Sequence, residues 1–221
     1  IHGAGGSVKV TVRLNDDVAG SGAVRLTGGD PRIEAGLNFV AGKAETTLIV
    51  PNARFWSDQD PYLYDLAVEA AGVESPRPFD DQYSLKVGIR TIAVQGGQIL
   101  LNGQPVQMNG FGRHEDFIAS GKGLNLPLMV KDYQLMRWTG ANSYRTSHYP
   151  YSEEEMQLAD REGFLIIDEI PAVSLQFGDE ENIPVRLQVC LRQIDELIAR
   201  DKNHPSVVMW GVANEPMPVG F

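Results

Sequence analysis

Residues 203–216, NHPSVVMWGVANEP, leave this chain few folds to choose from. Their middle, from Ser206 to Ala213, is a continuous apolar run bounded by His204-Pro205 on one side and Pro216 on the other. The run is far too short to cross a bilayer as a helix. An apolar segment of this length without alternation reads as a strand buried on both faces. Polarity then changes abruptly to Asn214-Glu215. A carboxylate at the C-terminal end of a buried parallel strand is the usual address of a catalytic group in a (β/α)8 barrel. A Glu that merely caps the next helix looks the same in isolation, so the preceding chain has to decide.

From residue 95 onward strands and helices alternate, the pattern of a βα barrel. A hairpin over Gln95-Gly96-Gly97-Gln98 and Leu101-Asn102-Gly103-Gln104-Pro105 leads in. Strands are predicted at 106–110, 142–146, 164–167 and 207–213. A helix is predicted at 126–138, with Met129, Tyr133 and Met136 at helical spacing and Gly140 as its stop. A second begins at Ser152, where Ser152-x-x-Glu155 forms a capping box, and ends at Gly163 in a left-handed C′ position. A third carries Leu187, Leu191, Ile194 and Ile198 on one face. Each strand ends in polar groups: Arg113-His114-Glu115-Asp116, Ser147-His148-Tyr149, Asp168-Glu169 and Asn214-Glu215. Parallel strands place all four ends on one side of a barrel. Such a concentration of His, Asp, Glu and Arg points to an active site there.

Residues 1–94 read as all-β. Val8, Val10, Val12 and Leu14 alternate with Lys9, Thr11 and Arg13, and Asn15-Asp16-Asp17 supplies turn chemistry. Thr46, Leu48 and Val50, then Tyr62, Tyr64, Leu66 and Val68, then Tyr83, Leu85 and Val87 repeat the period. Short strands at this spacing predict a β-sandwich. With no Cys…Trp…Cys pattern it is not a true immunoglobulin domain. Trp56 reads as a core aromatic rather than a sugar platform.

The 203–216 stretch closely resembles the acid/base signature of glycoside hydrolase family two. The resemblance continues through Gly110-Phe111-Gly112-Arg113-His114-Glu115-Asp116, Arg145-Thr146-Ser147-His148-Tyr149-Pro150-Tyr151-Ser152 and Ile167-Asp168-Glu169-Ile170-Pro171, and together these look like the β-glucuronidase branch. Residues 55–64 and 87–91 are similar to the family's immunoglobulin-like domain. The resemblance implies an immunoglobulin-like β-sandwich (1–94) followed by the first half of a (β/α)8 TIM barrel (95–221). It implies a retaining hydrolase of β-D-glucuronides, with Glu215 as acid/base and Asn214 on the sugar's 2-hydroxyl. His148 would contact the sugar. Arg113, His114, Asp116, Arg145, Asp168 and Glu169 would be supporting or loop-ordering groups, and an ion pair with Arg145 or Arg113 would account for Asp168 and Glu169. The nucleophile is expected on a later strand, and the complete protein is expected to be a homo-oligomer. A β-galactosidase of the same family and a non-catalytic carbohydrate-binding module are the alternatives.

No cofactor is expected. His114, Asp116, Asp168 and Glu169 could in principle hold a metal, but no ligand spacing supports one. The net charge of −10 argues against nucleic acid and against an acidic membrane surface. The single cysteine, Cys190, excludes an internal disulfide framework and reads as a small buried apolar group. The chain begins without Met or a leader and is read as an internal fragment, so its compartment is open. With about half of the roughly 250 residues a full barrel takes, it is expected to hydrolyse nothing alone. The connection over 172–182 is short, which predicts an open site tolerant of bulky aglycones.

Overall fold

The computed structural model describes residues 5–29, 32–72, 79–175 and 182–216. They divide into two compact units, one reaching Ser57 and resuming over Tyr62–Thr91, the other formed by Asp58–Pro61 and the chain from Ile92.

The first unit holds β1 (Gly6–Arg13), β2 (Gly20–Thr27), β3 (Ile33–Phe39), β4 (Lys43–Val50), β5 (Tyr64–Gly72) and β6 (Phe79–Val87). β1 pairs antiparallel with β4, and the other strands form an antiparallel sheet in the order β3-β2-β5-β6. Alternate side chains of both sheets, among them Val10, Val24, Leu26, Phe39, Leu48, Val50 and Leu66, share one core. Four of these strands follow from their alternation. β2 and β3 were not anticipated, because Gly20, Gly22 and Gly36 thin out the pattern. The glycine at position 22 is required in a central strand, since a Cβ there would run into the Glu69 carbonyl of β5. Trp56 is fully buried, as a core aromatic should be.

The second unit opens with a meander of β7 (Ile92–Gln95), β8 (Gln98–Leu101) and β9 (Gln104–Pro105). Its two-residue turns, Gly96-Gly97 and Asn102-Gly103, have both residues at positive φ. That backbone matches the twist of the strands it joins. Then follow β10 (Gly110–Arg113), α1 (Leu126–Trp138), β11 (Ser143–Thr146), α2 (Glu153–Glu162), β12 (Leu165–Glu169), α3 (Ile183–Asp201) and β13 (Val207–Gly211). The four strands of this series form a parallel sheet in the order β10-β11-β12-β13.

The structure corrects the predicted elements in four places. The first barrel strand begins at Gly110, not 106. The Val106 N–H is taken by the Ile99 carbonyl of the meander (2.9 Å), and Asn109 is held by the Asn142 side chain (2.8 Å). The Ser152 hydroxyl accepts the Glu155 N–H (3.2 Å), but Glu155 does not complete the capping box, because its carboxylate turns into the core. On α3, Leu187 and Leu191 are exposed among the described residues, while Cys190, Ile194 and Leu197 pack inward. β13 has only Val207 fully buried among its residues. It pairs Ile166 with Val207 but Ile167 with Met209, so Val208 is an extra residue in the ladder.

Behind the sheet lies a buried polar cluster. Arg113 at the end of β10 reaches Asp132 of α1 and Glu155 of α2 (3.0 Å), and its guanidinium faces the Tyr144 and Tyr151 rings. The Tyr144 hydroxyl donates to the same Glu155 oxygen (3.0 Å) and lies 2.7 Å from the Tyr133 hydroxyl. Charges this deep persist only when paired.

A second buried tie anchors the entry to β13. Asp160 of α2 bonds His204 Nδ1 (2.6 Å) and accepts the Ser206 N–H (3.0 Å). Burial works against the charged imidazole, but the hydrogen bond and charge of Asp160 outweigh it and raise the His204 pKa. A raised folded-state pKa contributes stability fully present below the unfolded value of about 6.5. That contribution is lost as pH rises through the folded pKa. Relative to His204→Gln, the wild-type thermal midpoint is therefore expected to be higher at acid pH, with the gap closing on the alkaline side. A gap that stays constant with pH would contradict this assignment.

Candidate functional site

Strand alternation decides which polar residues meet. Successive side chains point to opposite faces, so Arg145 and Glu169 share one face of the sheet while Thr146 and Asp168 share the other. Glu169 is almost completely buried. One of its oxygens accepts from Arg145 Nη1 (2.9 Å), and the other lies 3.1 Å from His148 Nδ1. An ionised carboxylate only accepts, so Nδ1 carries the proton and the bond fixes the imidazole with Nε2 directed away. The His114 ring meets His148 edge-on at 5.3 Å. Gly211 of β13 makes room for Glu169, since a Cβ there would come within 3.0 Å of its Cγ.

Arg145 Nη1 also donates to Asn214 Oδ1 (3.1 Å). A guanidinium has no acceptor, so the amide orientation is fixed by chemistry, and the Nδ2 protons remain to donate to a ligand. Asn214 is held by its backbone as well: its N–H donates to Ala172 and its carbonyl accepts from Ser174, each at 2.8 Å. These bonds join the segment after β12 to the segment after β13. Glu215 follows with an exposed side chain and a left-handed backbone, φ +47. A non-glycine residue held there costs energy and is common where a functional side chain must be aimed.

Of the residues singled out by sequence, the structure gathers Arg145, His148, Glu169 and Asn214 by direct bonds, with His114 against them. Asp116 is exposed on the loop between β10 and α1. Two go elsewhere. Arg113 turns toward α1 and α2 into the buried cluster, away from the clamp that Arg145, Glu169 and His148 form. Asp168 pairs with neither Arg145 nor Arg113. It accepts from the Thr146 hydroxyl (3.1 Å) and faces Asp201 of α3, and burial together with that carboxyl raises its pKa to about 8. Residues 176–181 of the 172–182 connection lie outside the described residues.

Sequence reasoning missed the groups that support this arrangement. Thr146 donates to Asp168 and accepts the Glu169 N–H (2.9 Å), and the Tyr151 hydroxyl donates to the carbonyls of Arg113 and Ser147. Both stood inside a motif, but neither type carries chemistry that a spacing rule would mark. Among the described residues no helix is long and apolar enough to cross a membrane.

The model of the glycosyl hydrolases family 2 TIM barrel domain matches residues 92–220. A β-glucuronidase of Chlorocebus aethiops is 46% identical over 198 residues, covering 87% of this chain and 30% of its own. The structure of β-glucuronidase from Ruminococcus gnavus in complex with a C6-substituted uronic isofagomine superimposes with a TM-score of 0.82 at 37% identity, over 98% of this chain and 37% of that one. That of Bifidobacterium dentium β-glucuronidase with coumarin-3-O-glucuronide gives 0.84 at 33% identity, over 96% and 38%. The chain thus spans about a third of these relatives' length. With its parallel strands, the clamp at their ends and a family match over more than half of its length, the chain belongs to glycosyl hydrolase family 2.

Proposed function

We propose that the complete protein is a retaining glycoside hydrolase acting on β-D-glucuronides, with Glu215 as acid/base. The observation that carries this reading is the Asn214-Glu215 pair beyond the fourth parallel strand, with Asn214 fixed by the Arg145–Glu169–His148 clamp. The names of the relatives favour a glucuronide over a galactoside.

In this mechanism Glu215 protonates the glycosidic oxygen and later removes a proton from water. Asn214, its amide protons directed by Arg145, donates to the sugar's 2-hydroxyl, and His148 presents Nε2 to the substrate. The nucleophile is a second carboxylate about 5–5.5 Å from Glu215, as retention requires, contributed by a later strand. Arg113 and Asp168 support the site from behind the sheet, and His114 and Asp116 order the loop beside it. We also propose that the antiparallel unit is an immunoglobulin-like sandwich, that the barrel domain begins near residue 95, and that the complete enzyme is a homo-oligomer.

The test is to assay the complete enzyme on matched aryl β-glucuronide and β-galactoside. A site built to pair a charged group rejects a substrate lacking it, so kcat/KM is expected to favour the glucuronide by about 10⁴-fold. Preference for the galactoside would replace this reading with the β-galactosidase one. Turnover of neither would leave a carbohydrate-binding module.

A further inference from the structure

Asp168 has surroundings that the clamp alone does not explain. Its side chain is fully buried, with one oxygen accepting from the Thr146 hydroxyl. The other oxygen, Oδ2, is buried and meets no donor among the described residues. The group facing Asp168 is a second carboxyl, Asp201, also fully buried. Asp201 is bound on both oxygens by Arg200, from Nε (2.7 Å) and Nη2 (2.6 Å). Two buried carboxylates cannot both ionise beside a single guanidinium at little cost. A proton on Asp168 removes the conflict: Oδ2 becomes a donor, Asp201 accepts it, and one negative charge remains for Arg200.

The consequence reaches the site through Thr146. Its hydroxyl proton is committed to Asp168, so its oxygen is left to accept the Glu169 N–H (2.9 Å). We propose that Asp168 is a positioning residue: it shares one proton with Asp201 and, through Thr146, fixes the backbone of Glu169 and with it the clamp on Arg145 and His148. This inference deepens the proposed function and, for its catalytic consequence, rests on it. Among the described residues, the charged and titratable groups that bear most on the pair are Arg200 from α3, His204 beyond that helix, and Glu153 of α2 acting on Arg200. Burial and Asp201 raise the Asp168 pKa, in the direction that sharing requires.

The experiment uses the complete enzyme and two variants. Infrared spectra at neutral pH are expected to show the C=O stretch of a buried protonated carboxyl, absent from Asp168→Asn, titrating far above the ordinary carboxylate range. Asp168→Ala, which releases Thr146, is expected to lower kcat by about 10- to 100-fold, the scale of a small misplacement in a site. Asp168→Asn, whose amide can donate to Asp201 and accept from Thr146, is expected to restore most of that loss. A neutral-pH spectrum without the band, a band that survives in Asp168→Asn, or equal losses in the two variants would each overturn the proposal. If the enzyme turned over no glucuronide, the proposed function would fail while the infrared measurement still decided the shared proton.

Discussion

Glu215→Ala in the complete enzyme is expected to slow hydrolysis of glucuronides with poor leaving groups by about 10²–10⁴-fold, the usual worth of a positioned general acid. Activated aryl glucuronides leave without a proton, so their first step should be nearly untouched. Azide, small enough to use the space of the missing carboxylate and needing no base, is expected to restore turnover and yield a β-glucuronosyl azide. The present chain alone serves as the blank, with no turnover expected. Equal losses on both substrate types, without azide rescue, would remove Glu215 from the role. The assignment rests on placement: the residue before it is pinned by Ala172, Ser174 and Arg145, and Glu215 follows directly in a left-handed backbone.

Arg113→Ala is expected to destabilise the barrel unit by about 3–5 kcal/mol, the cost of removing one partner from a buried ion pair. Its side chain is only 5% exposed, and Glu155 facing it is 1% exposed. Truncation would leave the buried Glu155 carboxyl without its cationic partner, with burial pushing its pKa further up. Replacing both, as Arg113→Met with Glu155→Leu, is expected to recover most of the loss, because the penalty lies in the unpaired charge rather than in the missing attraction. Urea unfolding of the single and double variants measures both. A double variant as unstable as Arg113→Ala would show that volume and ring contacts, not charge, set the cost.

The two results address a distinction that was only half legible in the chain. Helix α1 could be bounded from residues alone, because Met129, Tyr133 and Met136 repeat at helical spacing and Gly140 stops it at positive φ. Gly163 announced the end of α2 in the same way. The strands were harder. Val24 and Leu26, like Leu37 and Phe39, carry the alternation of a strand, but the glycines among them weakened it below notice. At the site, the motifs marked which strand ends matter, not which side of the sheet each residue takes. Arg113 and Asp168 belong to conspicuous polar runs and yet face the helices, where partners distant in sequence, Asp132, Glu155 and Asp201, receive them. Glu155 shows the same limit: its local spacing suits a helix cap, and a long-range arginine outcompetes that role. Periodicity carries local information well, whereas ion pairing across elements depends on contacts that no spacing records.

The additional residue in the last strand has a bearing on how this chain is compared with others. Up to Val207, and again from Met209, residues count in twos between the two faces of the ladder; across Val208 the count changes phase. A template threaded without a gap through this strand therefore inverts the faces assigned to Met209, Trp210 and Gly211. Two relatives that agree on every letter of Met209-Trp210-Gly211 could still present these residues to opposite faces if one lacked Val208. The glycine that leaves space for the buried Glu169 thus comes to face it through a parity set three positions earlier.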